Sequence, residues 1–163
     1  MNDTTMDMLR ALLTEDAPAA VDVIRRAFSA QSVETDPPSA ALRETTESIA
    51  DAIGLDGGAC VTFPGGLKGV VLWSQTEQGL YFGRLAVHPD WRGSGVARRL
   101  IAAVEAEAMR RNLPRVHLNA RLVLADNRRL FASCGYQETE FGTHDGFTAP
   151  TFVVMEKILD GAC

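Results

Sequence analysis

The stretch that decides the fold runs from Leu85 to Leu100 and reads Leu-Ala-Val-His-Pro-Asp-Trp-Arg-Gly-Ser-Gly-Val-Ala-Arg-Arg-Leu. It predicts a strand that ends at Val87, a turn over 88–90, a glycine-rich loop, and a helix from about Val96. The first turn of a helix has unpaired N–H groups and a partial positive charge. Glycines let that backbone approach a ligand closely. The stretch therefore predicts a site for phosphate or pyrophosphate.

Two common phosphate-binding loops do not match these residues. The dinucleotide fingerprint Gly-x-Gly-x-x-Gly starts at Gly93 and Gly95, but its third glycine falls on Arg98. The three strands predicted before the loop are antiparallel, which is also the wrong context. A phosphate-transfer loop requires a Gly-Lys-Ser/Thr ending, which the stretch lacks.

Working outward from the loop, hydrophobic periodicity and turn residues predict seven strands and four helices in the order β-α-α-β-β-β-α-β-α-β-β. The fold class is α/β (α+β), with a single mixed sheet of about seven strands flanked by helices. The first strand lies within Met6–Thr14, and a helix follows from Asp16. A second helix starts at Ser39, with Leu42, Ile49 and Ile53 on its buried side. The later strands are predicted over 59–63, 69–74, 80–87, 116–120, 136–141 and 151–157, and the later helices from Val96 and from Asp126 or Asn127.

Length and composition exclude several classes of protein. The 163 residues are expected to form one domain, residues 1–163, and a net charge of -5 argues against general nucleic-acid binding. The start lacks a signal-peptide pattern, and no apolar run reaches the roughly 20 residues that span a bilayer. Three cysteines without metal-like spacing predict reduced thiols, a cytoplasmic location and no metal site.

Arg92-x-x-Gly95-x-Ala97 resembles the acetyl-CoA signature of the GNAT superfamily of N-acetyltransferases, which is Arg or Gln, two residues, Gly, one residue, then Gly or Ala. Leu130-Phe131 followed by Gly135-Tyr136 is similar to the second CoA-facing element of that family, usually Leu-Tyr and then Gly-Phe. The predicted order of elements agrees across nearly the whole chain. The resemblance implies the acyl-CoA acyltransferase fold, with a mostly antiparallel sheet.

The resemblance implies acetyl-CoA as the acyl donor. The N–H groups of the loop would hold its pyrophosphate, and the edge of the preceding strand would bind the pantetheine arm as an added strand does. Asn127 would either contact the cofactor arm or cap its helix, and Arg121, Arg128 or Arg129 would meet the adenosine phosphates. The implied cofactor-binding residues are Leu85, Ala86, Val87, Arg92, Gly93, Ser94, Gly95, Val96, Ala97, Arg98 and Asn127.

The proton donor in many relatives is the tyrosine of the second element, and this chain has Phe131 there. A substitute phenol must be Tyr136 or Tyr81, because the chain has no other tyrosine. Many relatives also place a carboxylate on the strand before the loop, where this chain has Tyr81 and Gly83. A base working through water is sought at Glu44 or Glu47, or at His144 or Asp145; positioning with solvent protons alone is the other alternative.

The sequence thus predicts an N-acetyltransferase that acts on a primary amine of a small molecule or peptide by direct attack. The alternative is a non-catalytic, acyl-CoA-binding regulatory module, which Phe131 and the missing strand carboxylate motivate. We favour the enzyme, because cofactor geometry is the larger part of this chemistry. Neither a nucleic acid nor a membrane is an expected partner, and the resemblance allows a homodimer, since homodimers are common in the family.

Overall fold

The computed structural model describes residues 7–31 and 33–159, and these form seven strands and four helices in the predicted order. The helices are α1 (Ala17–Ser29), α2 (Thr46–Leu55), α3 (Val96–Arg110) and α4 (Ala125–Ser133). The strands are β1 (Met8–Ala11), β2 (Gly58–Phe63), β3 (Gly66–Thr76), β4 (Gly79–Val87), β5 (Arg115–Arg121), β6 (Gln137–Gly142) and β7 (Phe152–Ile158).

The strands form one sheet in the order β1-β2-β3-β4-β5-β7-β6. Its neighbouring strands are antiparallel except for β4 and β5, which run parallel. β4 and β5 pair only at Leu80–Val116 and Tyr81–His117. Beyond these two pairs the strands diverge, so the sheet is open in its middle along the second half of β4.

A bulge in β4 reverses the side of the sheet that its residues face. Phe82 belongs to the hydrophobic cluster that includes α3, whereas Ala86 belongs to the cluster that includes α1 and α2. Residues of one parity lie on one face of a regular strand, so the reversal requires an extra residue. The register against β3 shifts at this point, and Arg84 has a φ of +53°. The bulge therefore turns Arg84 toward the face that α1 and α2 cover.

The core has two layers, one on each face of the sheet. α3 and α4 cover one face, and α1 and α2 cover the other. Full burial of one Leu or Ile side chain contributes roughly 1.5–3 kcal/mol, so the buried stripe of α3 holds that helix firmly. The buried residues of α3 are Val96, Leu100, Ile101, Val104 and Ala108.

The predicted start of the second helix is wrong. Ser39 caps only a 3-10 turn over Ala40–Arg43, and α2 begins at Thr46. Thr45 and Ser48 form a capping box there, which satisfies the N–H groups of the first turn. Leu42 precedes this helix and is 37% exposed, so its predicted burial is also wrong. Met6, the predicted start of the first strand, lies outside the described residues.

Candidate active site

A cleft of about 450 Å³ opens where β4 and β5 diverge. The end of β4, the start of α3 and most of α4 form its walls, and the end of α1 closes it on one side. The structure brings six of the predicted cofactor-binding residues to this cleft: Leu85, Ala86, Val87, Arg92, Ala97 and Asn127.

The glycine loop at the mouth of the cleft has the backbone of an anion site. Gly93 and Gly95 have φ values of +76° and +84°, which L-residues rarely adopt. Among the residues that the structure describes, a Cβ atom built on either glycine would have no heavy atom within 4 Å. In the same part of the chain, no side chain caps the first turn of α3. The N–H groups of that turn therefore have no capping acceptor, and the space in front of the loop is open.

The other predicted loop residues support the loop with their side chains. Val96 is buried against the sheet, and Ser94 Oγ donates to the Trp91 carbonyl. The Arg98 guanidinium donates to Ser133 Oγ at 2.8 Å and to Cys134 Sγ at 3.5 Å. These residues can therefore contact a pyrophosphate through their backbone N–H groups. A contact from the Arg98 side chain would require it to break its hydrogen bonds to Ser133 and Cys134.

The Lys68 side chain, behind the glycine loop, fixes the position of the loop. The Lys68 ammonium lies 4.0 Å from the centroid of the Trp91 ring and 2.5 Å from Asp7 Oδ2. The ring of Phe63 also packs against Trp91, with the two ring centroids 5.1 Å apart. The Lys68 carbonyl also accepts a hydrogen bond from the His88 N–H at 2.8 Å. The turn after β4 is thus tied to the β2–β3 hairpin.

Asn127 is exposed in the first turn of α4 and lines the cleft. The helix begins at Ala125, so the alternative that Asn127 caps it is wrong. Arg128 and Arg129, predicted to meet adenosine phosphates, pair instead with Glu138 and Asp126.

One wall of the cleft is formed by residues that no sequence motif marks. Phe28 and Gln31, at and after the end of α1, line it together with Val33, and Val123 and Leu124 line the opposite side. No motif marks these residues, because their role depends on where α1 ends over the sheet.

Phe131, at the position of the usual tyrosine, is part of the hydrophobic core. Its side chain is 7% exposed, and its ring meets Phe82 edge to face at 5.9 Å. The ring also lines the cleft, where it presents carbon atoms only.

Tyr136 does not line the cleft. Its hydroxyl donates to Glu105 Oε2 of α3 at 2.9 Å, and the residue is 3% exposed. Burial and the neighbouring Glu105 carboxylate raise the pKa of Tyr136 far above its usual value. The structure thus engages this phenol in the core between α3 and the sheet, away from the cleft.

Tyr81 lies on the face of the sheet that α1 and α2 share, and its hydroxyl lies beside Gly83, 3.3 Å from where a Cβ of that glycine would be. Its side chain therefore runs along β4 toward the divergence. Burial raises the pKa of Tyr81, and the nearby Arg84 charge partly opposes that shift.

Tyr81 also lines a second cavity of about 450 Å³ on this face. His117 forms part of its wall, and Nε2 of that ring is 2.8 Å from Thr76 Oγ1. Burial lowers the pKa of His117, so the imidazole is neutral near pH 7. The remaining lining residues are Gln78, Asn119, Thr139, Glu140, Val154 and Glu156.

Glu44 is bound on both oxygens. Ser48 Oγ donates to Oε1 at 2.6 Å and Arg84 Nε donates to Oε2 at 2.5 Å. Burial acts to raise the pKa of Glu44, but the hydrogen bonds from Ser48 and Arg84 outweigh it and lower the pKa. A carboxylate held in this way is a weak base, and its visible role is to pair with Arg84 at the β4 bulge.

A family model described as an acetyltransferase (GNAT) domain matches residues 54–138, which is more than half of the chain and includes β4, the glycine loop and α4. The chain belongs to the GNAT acetyltransferase family. The resemblance inferred from Arg92, Gly95 and Ala97 is therefore confirmed, and so is the prediction of an acetyltransferase at the level of the family.

An acetyltransferase from Pectobacterium atrosepticum is 38% identical to this GNAT chain over 73 residues, 45% of this chain. That alignment spans about half of the relative, 48% of its length. The ribosomal-protein-S18-alanine N-acetyltransferase from Escherichia coli has a TM-score of 0.73 at 21% identity, with 94% of each chain covered. The PaiA N-acetyltransferase from Thermoplasma acidophilum, solved with coenzyme A, has a TM-score of 0.78 at 16% identity, covering 94% of this chain and 99% of that one. The predicted GNAT fold is thus confirmed.

Within residues 7–31 and 33–159, no group of three or more His, Cys, Asp or Glu side chains is arranged to hold a metal ion. No helix in the same ranges is long and apolar enough to cross a membrane.

Proposed function

We propose that this chain transfers an acetyl group from acetyl-CoA to a primary amine of a small molecule or peptide, by direct attack of the amine. The observation that carries the proposal is the cleft between β4 and β5, which joins the uncapped start of α3 to the open middle of the sheet. Membership of the GNAT family supports the same donor, and the Thermoplasma relative was solved with coenzyme A.

The residues present fit the cofactor at both ends of the cleft. The first turn of α3 and the loop at Gly93 and Gly95 offer N–H groups to a pyrophosphate, with no Cβ in the way. The edge of β4 over Leu85–Val87 has no partner strand on the side of β5, so it is free to bond an extended pantetheine arm. Acetyl-CoA supplies a thioester carbonyl at the end of that arm.

The transfer forms a C–N bond and breaks a C–S bond. The amine must lose one proton, and the departing sulfur must gain one, so the step is balanced without a further reactant. An N–H group of β4 near Val87 is a donor for the oxygen of the carbonyl as negative charge develops on it. The divergence of the strands lets an amine approach from the face of α1 and α2.

We assign the handling of the amine to Tyr81 among the predicted catalytic residues. Its phenol lies on the face of the sheet that α1 and α2 cover, which we call the acceptor side because the amine approaches from it. The side chain points along β4 toward the opening between β4 and β5. Because its pKa is raised, it is neutral near pH 7 and accepts a hydrogen bond from an amine N–H, which orients the nitrogen lone pair. Solvent carries the proton away. We assign Glu44 a positioning role, through the ion pair that holds Arg84 at the bulge.

Release of CoA thiol, measured with purified protein, acetyl-CoA and a panel of amines, tests this proposal. We expect amine-dependent release. Tyr81→Phe should lower kcat about tenfold, the size of one neutral hydrogen bond. Tyr136→Phe is the matched control, because it removes the same atom; it should leave kcat within twofold and lower the free energy of unfolding by about 1.5 kcal/mol.

Saturable binding of acetyl-CoA without release for any amine would contradict the transfer and favour the non-catalytic module. Equal effects of the two tyrosine variants on kcat would contradict the role of Tyr81 alone. The cytoplasmic location and the homodimer stay predictions from the sequence.

A further inference from the structure

The two strands that bound the opening each present an arginine to the acceptor side. Arg84 lies in the β4 bulge, and Arg121 is the last residue of β5. Arg121 stands four residues beyond His117, as Leu85 stands four beyond Tyr81, and Tyr81 and His117 are the last residues that pair the strands. Arg121 is therefore level with the part of β4 that lines the cleft, and Val123 and Leu124, just after it, line the cleft too.

The guanidinium groups of these two arginines have different partners. Glu44 neutralises Arg84 with a contact of 2.5 Å. Within the described residues, the one hydrogen bond of the Arg121 guanidinium is from Nη1 to the Pro37 carbonyl, at 2.6 Å, and no carboxylate lies within 4.0 Å of it. A guanidinium has five N–H donors in a planar fork, so most of its donors have no protein acceptor here.

Arg121 is partly shielded from water and, as a guanidinium, stays positively charged. The side chain is half-buried, and burial lowers its pKa while Asp36 opposes that shift from beyond ion-pair distance. Burial lowers the pKa of His144, in the β6–β7 connection, and the nearby Arg121 charge lowers it further. Arg121 is thus a partly desolvated cation that a backbone carbonyl fixes and that no described carboxylate neutralises. Its planar fork of N–H groups can form strong, charge-assisted hydrogen bonds to two oxygens of an anionic group.

We propose that the amine acceptor carries an anionic group, a carboxylate or a phosphate, which Arg121 binds while the amine faces the opening. This inference rests on the proposed transfer and names the class of its acceptor. It differs from the expectation for the molecule as a whole, whose net charge of -5 would favour a cationic acceptor.

Pairs of acceptors that differ only in the anionic group test the inference. The pairs are β-alanine and β-alaninamide, a dipeptide and its C-terminal amide, and O-phosphoethanolamine and ethanolamine. We expect kcat/KM to be at least tenfold higher for the anionic member of at least one pair, and the pair that shows it distinguishes carboxylate from phosphate. Arg121→Gln should remove that preference and leave the KM for acetyl-CoA within twofold.

Arg43→Gln is the matched control, because it removes the same charge from an exposed position of the 3-10 turn before α2. It should leave the preference intact. The ratio within a pair does not depend on how much of a variant is folded, so a loss of stability at the Pro37 contact does not imitate the result.

Turnover of amines with equal kcat/KM for both members of every pair would overturn this inference alone. An equal loss for both members in Arg121→Gln, or a large rise in the KM for acetyl-CoA, would also overturn it, because Arg121 would then serve structure or the cofactor. No turnover of any amine would overturn the proposed function and this inference together.

Discussion

A methyl group added at Gly95 separates the loop's backbone strain from its role in binding. Gly95 has a φ of +84° and precedes the first turn of α3. Gly146, in the connection between β6 and β7, has a φ of +85°, and neither glycine has a heavy atom within 4 Å of an added Cβ. Gly95→Ala and Gly146→Ala therefore impose nearly the same backbone conformation on alanine, with no steric clash in either case.

The two variants should lose similar stability and different affinity. Alanine in the left-handed region costs about 1 kcal/mol, which lowers Tm by about 2–4 °C in a domain of this size. At Gly95 the methyl group would also occupy open space beside the loop that we propose to hold the pyrophosphate. Loss of one charge-assisted hydrogen bond to a pyrophosphate corresponds to roughly 1.5–3 kcal/mol, so CoA should bind roughly 10- to 100-fold more weakly to Gly95→Ala.

Calorimetric titration with CoA and thermal unfolding of both variants make the comparison. Gly146→Ala should bind CoA as the unaltered chain does, although its Tm falls by a similar amount. If Gly95→Ala bound CoA as tightly as Gly146→Ala, the loop would not approach the ligand, and the assignment of the anion site to residues 93–98 would be refuted.

Three further outcomes follow from the contacts around the loop and the sheet. Lys68→Met leaves the Asp7 carboxylate without its partner and removes the cation from the Trp91 ring, so urea unfolding should show a loss of about 2 kcal/mol; an unchanged midpoint would contradict this. Gly69→Ala places a Cβ 2.7 Å from a methyl group of α3, so it should cost about 1–3 kcal/mol and weaken CoA binding by moving that helix; unchanged CoA affinity would show that the helix stays in place. Burial lowers the pKa of His117 below 6.5, so the imidazole of the unfolded chain binds a proton first, and the free energy of unfolding falls as the pH drops below about 6.5. His117→Gln should flatten that part of the plot of stability against pH, and an unaltered slope would exclude His117 as its source.

The fold was predictable because its signals are local. The glycine loop, the proline and glycine breaks and the buried stripe of α3 each act within a few residues, and together they gave the order of the elements. The start of the second helix was predicted wrongly because two local signals compete there. Ser39 and Thr45 are both good N-cap residues, and in the structure Ser39 caps the 3-10 turn whereas Thr45 caps α2.

The site was predictable only where a backbone motif forms it. Leu85–Val87 and the loop follow from the sequence pattern, whereas the wall at Phe28 and Val33 depends on tertiary packing. The two tyrosines show the same limit, because spacing along the chain does not reveal that Tyr136 faces Glu105 while Tyr81 faces the opening. The bulge at Arg84 adds a further limit, since it changes the face on which every later residue of β4 lies.

Incubation of the protein with acetyl-CoA labelled with 13C in the acetyl group, followed by mass spectrometry of a panel of amines, tests the transfer most directly. We expect the label to appear in an amide of the acceptor, with one CoA released for each amide formed, and Gly95→Ala to lower both together. Acetyl-CoA that binds in the cleft and is recovered intact, with no labelled amide from any amine, would contradict it.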